Sequence, residues 1–540
     1  MGGRGDSVRG RAGQRRRAVV TVTAPVEPAR SQPALGRRSR VVLLAAVAAC
    51  AACGLVYELA LLTLSTSLTG GGITETSLIV AGFVAALGLG ALAAKPLLRH
   101  AAPSFVAVEV VLGLVGGVSA AALYVAFTFL GSSTWVLVLA TAAIGMLVGA
   151  EVPLLMTLLQ TGREGDAADT GKVLANLNAA DYAGALVGGL AWPFVLLPAA
   201  GLIRGTALTG MVNLVAAAVA ALFLLRGHLR PVVRASAMLA LLLAAALLGG
   251  LLVRASDIET TSRQRLYPDP VVYAQRSQYQ EIVVTERAGD VRLYLDGDLQ
   301  FSSRDEHRYT EALVYPVLAR NPGRVLILGG GDGLAAREVL RNPGVREIVQ
   351  VELDPAVLDL ANTRLRALNG GALEDERVTV VVDDAFRWLR EGAGGQFDAV
   401  IVDLPDPDTP TLGRLYSTEF YGVVATALAP GGLLVVQSGS PYSTPDAFWR
   451  TVATVGSVGL GTTPYHVYVP SFGDWGYVLA QAGPAPQLTL SPDAAERRFL
   501  DPATLASAAV FPLDRQRRDL EPSTLDRPRI VDDMRRGFER

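Results

Sequence analysis

The stretch "RVLILGGGDGLAAREVL" at residues 324–340 decides the fold. An apolar run enters three glycines, and a helical pattern leaves them. Loops of this kind cradle phosphate, because their free backbone N–H groups and the following helix N-terminus favour negative charge. Asp332 stands in the middle of this one. A carboxylate there repels phosphate, so the loop asks for a different ligand.

Outward from that loop, β-rich runs alternate with helical patterns: "RVLILG", "EIVQVEL", "RVTVVVDD", "FDAVIVDL" and "GLLVVQS". The alternation predicts βαβ units and an α/β fold with a doubly wound, Rossmann-like parallel sheet. Just upstream, "EIVVTER" and "VRLYLDG", joined by Ala288, Gly289 and Asp290, predict a β-hairpin in a small N-terminal β subdomain. The acids fall in register with the sheet. Asp332 follows the first strand, Glu352 ends the second, Asp384 the third and Asp403 the fourth, with Asp406 just beyond. Ligands of open α/β sheets bind at the carboxyl ends of strands, so these carboxylates converge on one crevice. Glu352 lies about twenty residues past the loop, where an acid accepts hydrogen bonds from ribose hydroxyls. Capping of the following helices explains one or two such acids but not five. A crevice so charged calls for a cation. With no His in the cluster, an organic polycation joined to a nucleoside fits better than a metal.

The N-terminal half is a different material. Of the 540 residues 51% are hydrophobic and 18% charged, with a net charge of −2, which excludes a single soluble domain and gives no footprint for nucleic acid. Residues 1–40 carry ten Arg against one Asp and one Glu and read as a disordered basic tail. Seven apolar stretches follow, at about 41–66, 75–95, 104–130, 135–159, 174–199, 205–225 and 235–253, each long enough to cross a bilayer. Cys50 and Cys53, the only two cysteines, sit in the first of them and read as small-residue packing rather than a redox or metal pair. Intramembrane Glu58, Glu151, Asn178, Asp181 and Asn213 divide between interhelical hydrogen bonding and a cation path. Basic residues follow stretches two, four and six, which places the N-terminus inside and, after seven crossings, the remainder outside.

About 210 residues, from Tyr267 to Ala480, resemble the spermidine synthase (polyamine aminopropyltransferase) family. The resemblance rests on "SQYQEIVV", "LDGDLQFSSRDEHRYTEAL", "VLILGGGDGLAAREVL", "VQVELDPAV", "VVVDDAFRWL", "FDAVIVDLPDP" and "LYSTEFYGVVATALAPGGLLVVQSGSPY". "GLVYELALL", "GAEVPLL" and "YHVYVPSFGDWGYVLA" are similar to the membrane-fused bacterial branch. It implies a methyltransferase-type sheet and transfer of an aminopropyl group from decarboxylated S-adenosylmethionine to putrescine, giving spermidine and methylthioadenosine. No further cofactor and no metal are implied. By motif, Gln280 and Glu352 hold the methylthioadenosine part, Asp384 and Ala385 line the adenine, and Pro410 stands beside the nucleoside. Asp332 takes the ammonium of the aminopropyl arm. Asp403 is the proton acceptor, Asp403 and Asp406 contact the acceptor amine, and Tyr309 and Thr310 stand near it.

Three departures bear on the acceptor. Tyr309–Thr310–Glu311 replaces a frequent Tyr-His-Glu, Pro405 stiffens the acidic loop, and Phe472 stands where a Tyr is common. The expected organisation is a tail (1–40), a transmembrane domain of about seven helices (41–253), a β-hairpin subdomain (254–320), the transferase domain (321–483) and a C-terminal extension (484–540). Expected partners are a diamine, the decarboxylated donor, a lipid bilayer and further copies of the chain. The expected location is the cell membrane. Donor supply favours a cytoplasmic catalytic domain, which requires a miscounted span, with a re-entrant segment around 185–205 as the suspect. An S-adenosylmethionine methyltransferase shares the sheet and ribose acid, but Asp332 repels the methionine carboxylate. A polyamine sensor or transporter with a non-catalytic domain is the third reading.

Overall fold

The computed structural model describes residues 37–69, 73–130, 134–160, 167–227, 229–392, 395–493 and 495–538. The basic tail expected over 1–40 lies, up to position 36, outside the described residues. The apolar half is helical: α1 (Arg37–Thr69), α2 (Ile73–Ala93), α3 (Ala101–Leu130), α4 (Thr134–Gln160), α5 (Ala167–Ala191), α6 (Leu197–Val219) and α7 (Pro231–Leu266). Among the described residues, six helical stretches suffice by length and composition alone to cross a membrane, the longest being Leu174–Leu224. That stretch is not straight. Gly201 breaks it with φ 71° and ψ −172°, a left-handed backbone that glycine adopts without strain.

Glycines set the helix directions. A Cβ on Gly184 would strike the Ala48 carbonyl and one on Gly188 the Ala52 carbonyl, so α5 runs alongside α1 in the same direction. At its far end Trp192 Nε1 donates to Thr63 Oγ1 at 3.1 Å. Past Gly201, α6 returns. Thr206 Oγ1 meets the Gly117 carbonyl at 3.4 Å, and Asn213 Nδ2 meets the Glu109 carbonyl at 2.9 Å, so α6 descends as α3 ascends. The segment around 185–205 is therefore a turn between two long antiparallel arms, not the re-entrant loop expected. Its Pro193 lies within a π-helical turn at Trp192–Leu196, and Pro198 stands at the start of α6. The last helix, α7, climbs beside α3 and ends with the Arg265 guanidinium 4.5 Å from the centre of the Phe129 ring.

From α7 the chain passes into a four-stranded antiparallel sheet in sequential order: β1 (Val271–Arg276), β2 (Glu281–Arg287), β3 (Asp290–Leu295) and β4 (Asp298–Ser302). The β2–β3 turn uses Ala288 (φ 50°) and Gly289 (φ 76°), the two positive angles a tight hairpin requires. Helix α8 (Glu306–Val317) leads to a seven-stranded sheet: β5 (Arg324–Gly329), β6 (Glu347–Glu352), β7 (Val378–Val382), β8 (Phe397–Asp403), β9 (Leu428–Gln437), β10 (Leu460–Val469) and β11 (Gly473–Ala482). Its order is β10-β11-β9-β8-β5-β6-β7, with β5 to β9 parallel as the alternation predicts. Strands β10 and β11 close one edge as an antiparallel pair. Both sheet faces are buried, by Val325 and Ile327 on one side and Leu326 and Leu328 on the other. The strand order reverses between β8 and β5, and that is where the crevice opens.

Candidate active site

The crevice is built by what the loop lacks. Gly329 pairs with Asp403 across β5 and β8. A Cβ on Gly329 would stand 2.1 Å from the Asp403 carbonyl, one on Gly330 3.1 Å from Asp403 Oδ2, and one on Gly331 2.6 Å from Glu352 Oε2. Three glycines therefore let two carboxylates from different strands approach one backbone turn. The turn is held by Gly330 N–H donating to the Asp403 carbonyl (3.0 Å) and by the Gln350 amide donating to the Gly329 and Gly330 carbonyls. Gly333, at φ 80°, starts α9 (Leu334–Leu340), and Asp332 Oδ1 accepts from Leu334 N–H at 2.9 Å.

The acids at the rim are short of positive charge. Burial pushes the Asp332 carboxyl up to about 7, and the Asp403 charge adds to it. Burial likewise lifts Glu352 to about 7, against hydrogen bonds from the Asp354 and Leu353 amides. For Asp403, burial raises the carboxyl to about 6, while the Tyr309 hydroxyl, donating at 2.5 Å, favours the ionised form. Asp406 is raised by burial to about 7, with Asp298 and Asp408 pushing the same way and the Gln437 amide opposing. Carboxyls poised this far above their usual range bind a cation readily, because its arrival removes the repulsion.

On the nucleoside side the residues form a chain. Gln280 Nε2 donates to Asp354 Oδ2 (3.0 Å), and Asp354 N–H donates to Glu352 Oε1 (2.9 Å). Asp354 also caps α10 (Pro355–Asn362). Helix α11 (Arg366–Asn369) follows it, and Asn369 Nδ2 donates to the Asp332 carbonyl at 2.8 Å. Asp384 caps α12 (Ala385–Arg390), accepting from Arg387 N–H, and its other oxygen is ion-paired with Arg414. Capping is thus part of what Asp384 does. Ala385 is buried at the start of that helix, and Pro410 is exposed at the first position of α13 (Pro410–Gly413).

Around Tyr309 stand Phe472, Trp475 and Tyr477, with ring centroids 5.8, 6.5 and 5.7 Å away. Phe472 thus joins an aromatic wall. Thr310 does not reach the crevice: it is 2% exposed, and its hydroxyl donates to the carbonyl and carboxylate of Glu306. A side chain two atoms long is consumed within its own helix turn.

Residues 306–492 match the spermine/spermidine synthase domain family. The polyamine aminopropyltransferase of Mycobacterium tuberculosis (strain H37Rv) is 63% identical over 508 residues, covering 93% of this chain and 97% of that protein. The chain belongs to the polyamine aminopropyltransferase family. It is an aminopropyltransferase enzyme. The polyamine aminopropyltransferase of Corynebacterium efficiens is 59% identical, over 94% of this chain and 98% of its own. A crystal structure of spermidine synthase in complex with the transition state analogue AdoDATO is 28% identical over 45% of this chain and 85% of that one, at a TM-score of 0.42.

In this aminopropyltransferase several further residues support the site in ways that the sequence alone does not show. Gln437 Nε2 holds the acidic loop, donating to the Leu404 carbonyl (2.6 Å), Asp406 Oδ1 (3.1 Å) and the Tyr416 hydroxyl (2.9 Å). Trp475 has a buried indole N–H without a partner. Helix α14 (Thr418–Ala427) packs behind α12, and α15 (Pro445–Ser457) backs β10 and β11. The C-terminal extension, polar and nearly aperiodic in sequence, is ordered through α16 (Pro502–Ala508) and α17 (Arg529–Phe538). Helix α17 buries Ile530, Val531 and Met534 in the sheet core. It pairs Asp533 with buried Arg450 on α15, and Arg535 Nε donates to the Asp408 carbonyl at 2.9 Å. The loop bearing Asp406 is strapped by α17.

Proposed function

We propose that this enzyme moves the aminopropyl group of decarboxylated S-adenosylmethionine to putrescine or a related diamine, with Asp403 as general base. The observation that carries this reading is the crevice itself. Asp332, Glu352 and Asp403 are drawn together over a glycine turn, Asp406 follows on the loop beyond Asp403, and burial raises each above its usual range. The donor supplies a sulfonium and an ammonium, and the acceptor supplies two amines.

Glu352 takes the ribose hydroxyls, with Gln280 steadied through Asp354. Asp384, Ala385 and Pro410 flank the adenine, and Asp332 takes the ammonium of the aminopropyl arm. The acceptor lies along Asp403, Asp406 and Tyr309. A primary amine is protonated at neutral pH and attacks only as the free base, so its proton passes to the Asp403 carboxylate. The nitrogen lone pair forms a bond to the aminopropyl carbon attached to sulfur. That C–S bond breaks, its electron pair stays on sulfur, and neutral methylthioadenosine leaves. Holding the amine in line with the sulfonium supplies much of the acceleration. Thr310, turned into the core, leaves the acceptor to the aromatic wall and the acids. Mass spectrometry of products from decarboxylated donor and a panel of diamines tests the reading. An aminopropylated diamine with methylthioadenosine is expected. Methyl transfer from intact S-adenosylmethionine, or no product, overturns it.

We read the bundle as a membrane anchor. Its alternating directions bring Lys95, Arg99 and Arg226 to one end and the catalytic half to the other. Donor supply places the catalytic half in the cytoplasm, against the usual loop-charge bias. A reporter that fluoresces only in the cytoplasm, fused after Arg540, is expected to be bright. A dark fusion with an active periplasmic reporter at the same point reverses the orientation.

A further inference from the structure

Between the helices of the bundle lies a polar cluster that aminopropyl transfer does not use. Glu109 on α3 is 0% exposed and Glu151 on α4 is 5% exposed. Among the described residues, neither Glu109 carboxylate oxygen has a hydrogen-bond partner of good geometry, nor does Glu151 Oε1. Two further buried groups join them without partners: Asn213 Oδ1 on α6, whose amide nitrogen is bonded to the Glu109 backbone, and the Tyr57 hydroxyl on α1. Buried polar atoms are almost always paired, so this many orphans in one place needs a cause.

The imbalance says what is missing. With both carboxyls ionised, the cluster offers acceptors from Glu109, Glu151 and Asn213, against the Tyr57 hydroxyl, the weak Cys50 thiol and an Asn213 amide already bonded to the Glu109 backbone. Among the described residues no cation supplies the rest. The titratable neighbours are Cys50, Cys53 and Tyr57 on α1 and Asp181 on α5. Helix α7 brings Leu241, Ala244 and Leu248 to that level, and α2 brings Phe83, Ala86 and Gly90. Lys95, Arg99 and His100 are exposed at the α2–α3 corner. Glu109 and Glu151 are buried among apolar side chains, away from those exposed cations. A proton on each Glu turns two acceptors into donors, giving three donors with Tyr57 for the carbonyl oxygens of Glu109, Glu151 and Asn213.

We propose that Glu109 and Glu151 form a proton-binding site within the bundle, one that takes up and releases protons, with Asn213 and Tyr57 completing its hydrogen bonds. Half-buried Asp181, in electrostatic reach of Glu151, is its connection outward.

The test is an infrared difference titration of the purified full chain, its catalytic crevice filled with spermidine and methylthioadenosine. Subtracting the Glu109→Gln or Glu151→Gln protein isolates this cluster. A protonated-carboxyl carbonyl band that grows as pH falls and shifts in heavy water is expected in both subtractions. A band that neither titrates nor shifts, or no band at all, overturns the proposal. Retained aminopropyl transfer in both variants verifies that they fold, and Glu109→Asp, expected to restore a displaced titrating band, serves if Glu109→Gln does not.

Discussion

In the sheet half, Asp332, Glu352, Asp403 and Asp406 each accept at least one hydrogen bond from a neighbouring amide or hydroxyl. In the bundle, neither Glu109 carboxylate oxygen has a hydrogen-bond donor of good geometry among the described residues. Both sets are buried and neither forms an ion pair among the described residues, yet only the first is fixed in place. The first is backed by strand ends whose register is set by the sheet, and it opens on a crevice. The second is enclosed by apolar helices. Oriented carboxylates at an opening are prepared for a ligand with bulk and charge, whereas enclosed ones accommodate only a proton. Burial alone does not distinguish a substrate site from a proton site. The hydrogen bonds that orient the acids do.

The sharpest contrast is kinetic. Asp403→Asn is expected to cut turnover by about 10²-fold or more, the usual scale for loss of a general base, with donor binding retained. Glu109→Gln is expected to leave turnover in place, and steady-state rates on both proteins decide whether the two acid groups are separate. Next in size is the strap behind the loop. Arg450→Ala removes one of the two guanidinium partners of buried Asp533 and leaves it Arg536 alone, a cost of about 1.5–3 kcal/mol. Calorimetry should show a fall in melting temperature on the order of 5 °C. An unchanged melting temperature would mean that α17 does not support the sheet half.

A subtler intrusion is Gly331→Ala, whose Cβ would stand 2.6 Å from Glu352 Oε2. Overpacking of about 1–3 kcal/mol predicts a KM for donor raised about tenfold with kcat less affected. Equal KM values would remove the glycine from the account. Smallest is a pH effect on stability. Asp332, Glu352, Asp403 and Asp406 are raised in the folded protein, so their stabilising contribution is full below the usual carboxylate range. It is lost as pH rises through about 6 to 7. A bound polyamine reverses that loss by pairing the ionised forms. The thermal shift given by spermidine with methylthioadenosine should therefore be larger at pH about 8 than at about 5. An equal shift at both would show that the acids do not meet the ligand.

The parallel strands were legible because each is a short apolar run with an acid or glycine at its end, and periodicity alone separates them from the helices. Asp332, Glu352 and Asp403 were legible because a strand's end is where a ligand site forms. Thr310 was read as an acceptor contact from its place in a motif. Which way a side chain faces on α8 depends on Glu306 beneath it, and no linear pattern reports that. Gln437 and Arg535 escaped because they act across long sequence separations through single hydrogen bonds. Glu109 escaped for a different reason. One acid among the thirty residues of α3 hardly disturbs its apolar pattern, and only the helix packing shows that it meets Glu151.

The strap also orders events in time. The loop carrying Asp406 is translated well before α17, the helix that braces it. A nascent chain can thread its bundle and pair its strands while Ile530, Val531 and Met534 have yet to be made. The brace behind the acidic loop is added only once α17 has been made and docks on the sheet.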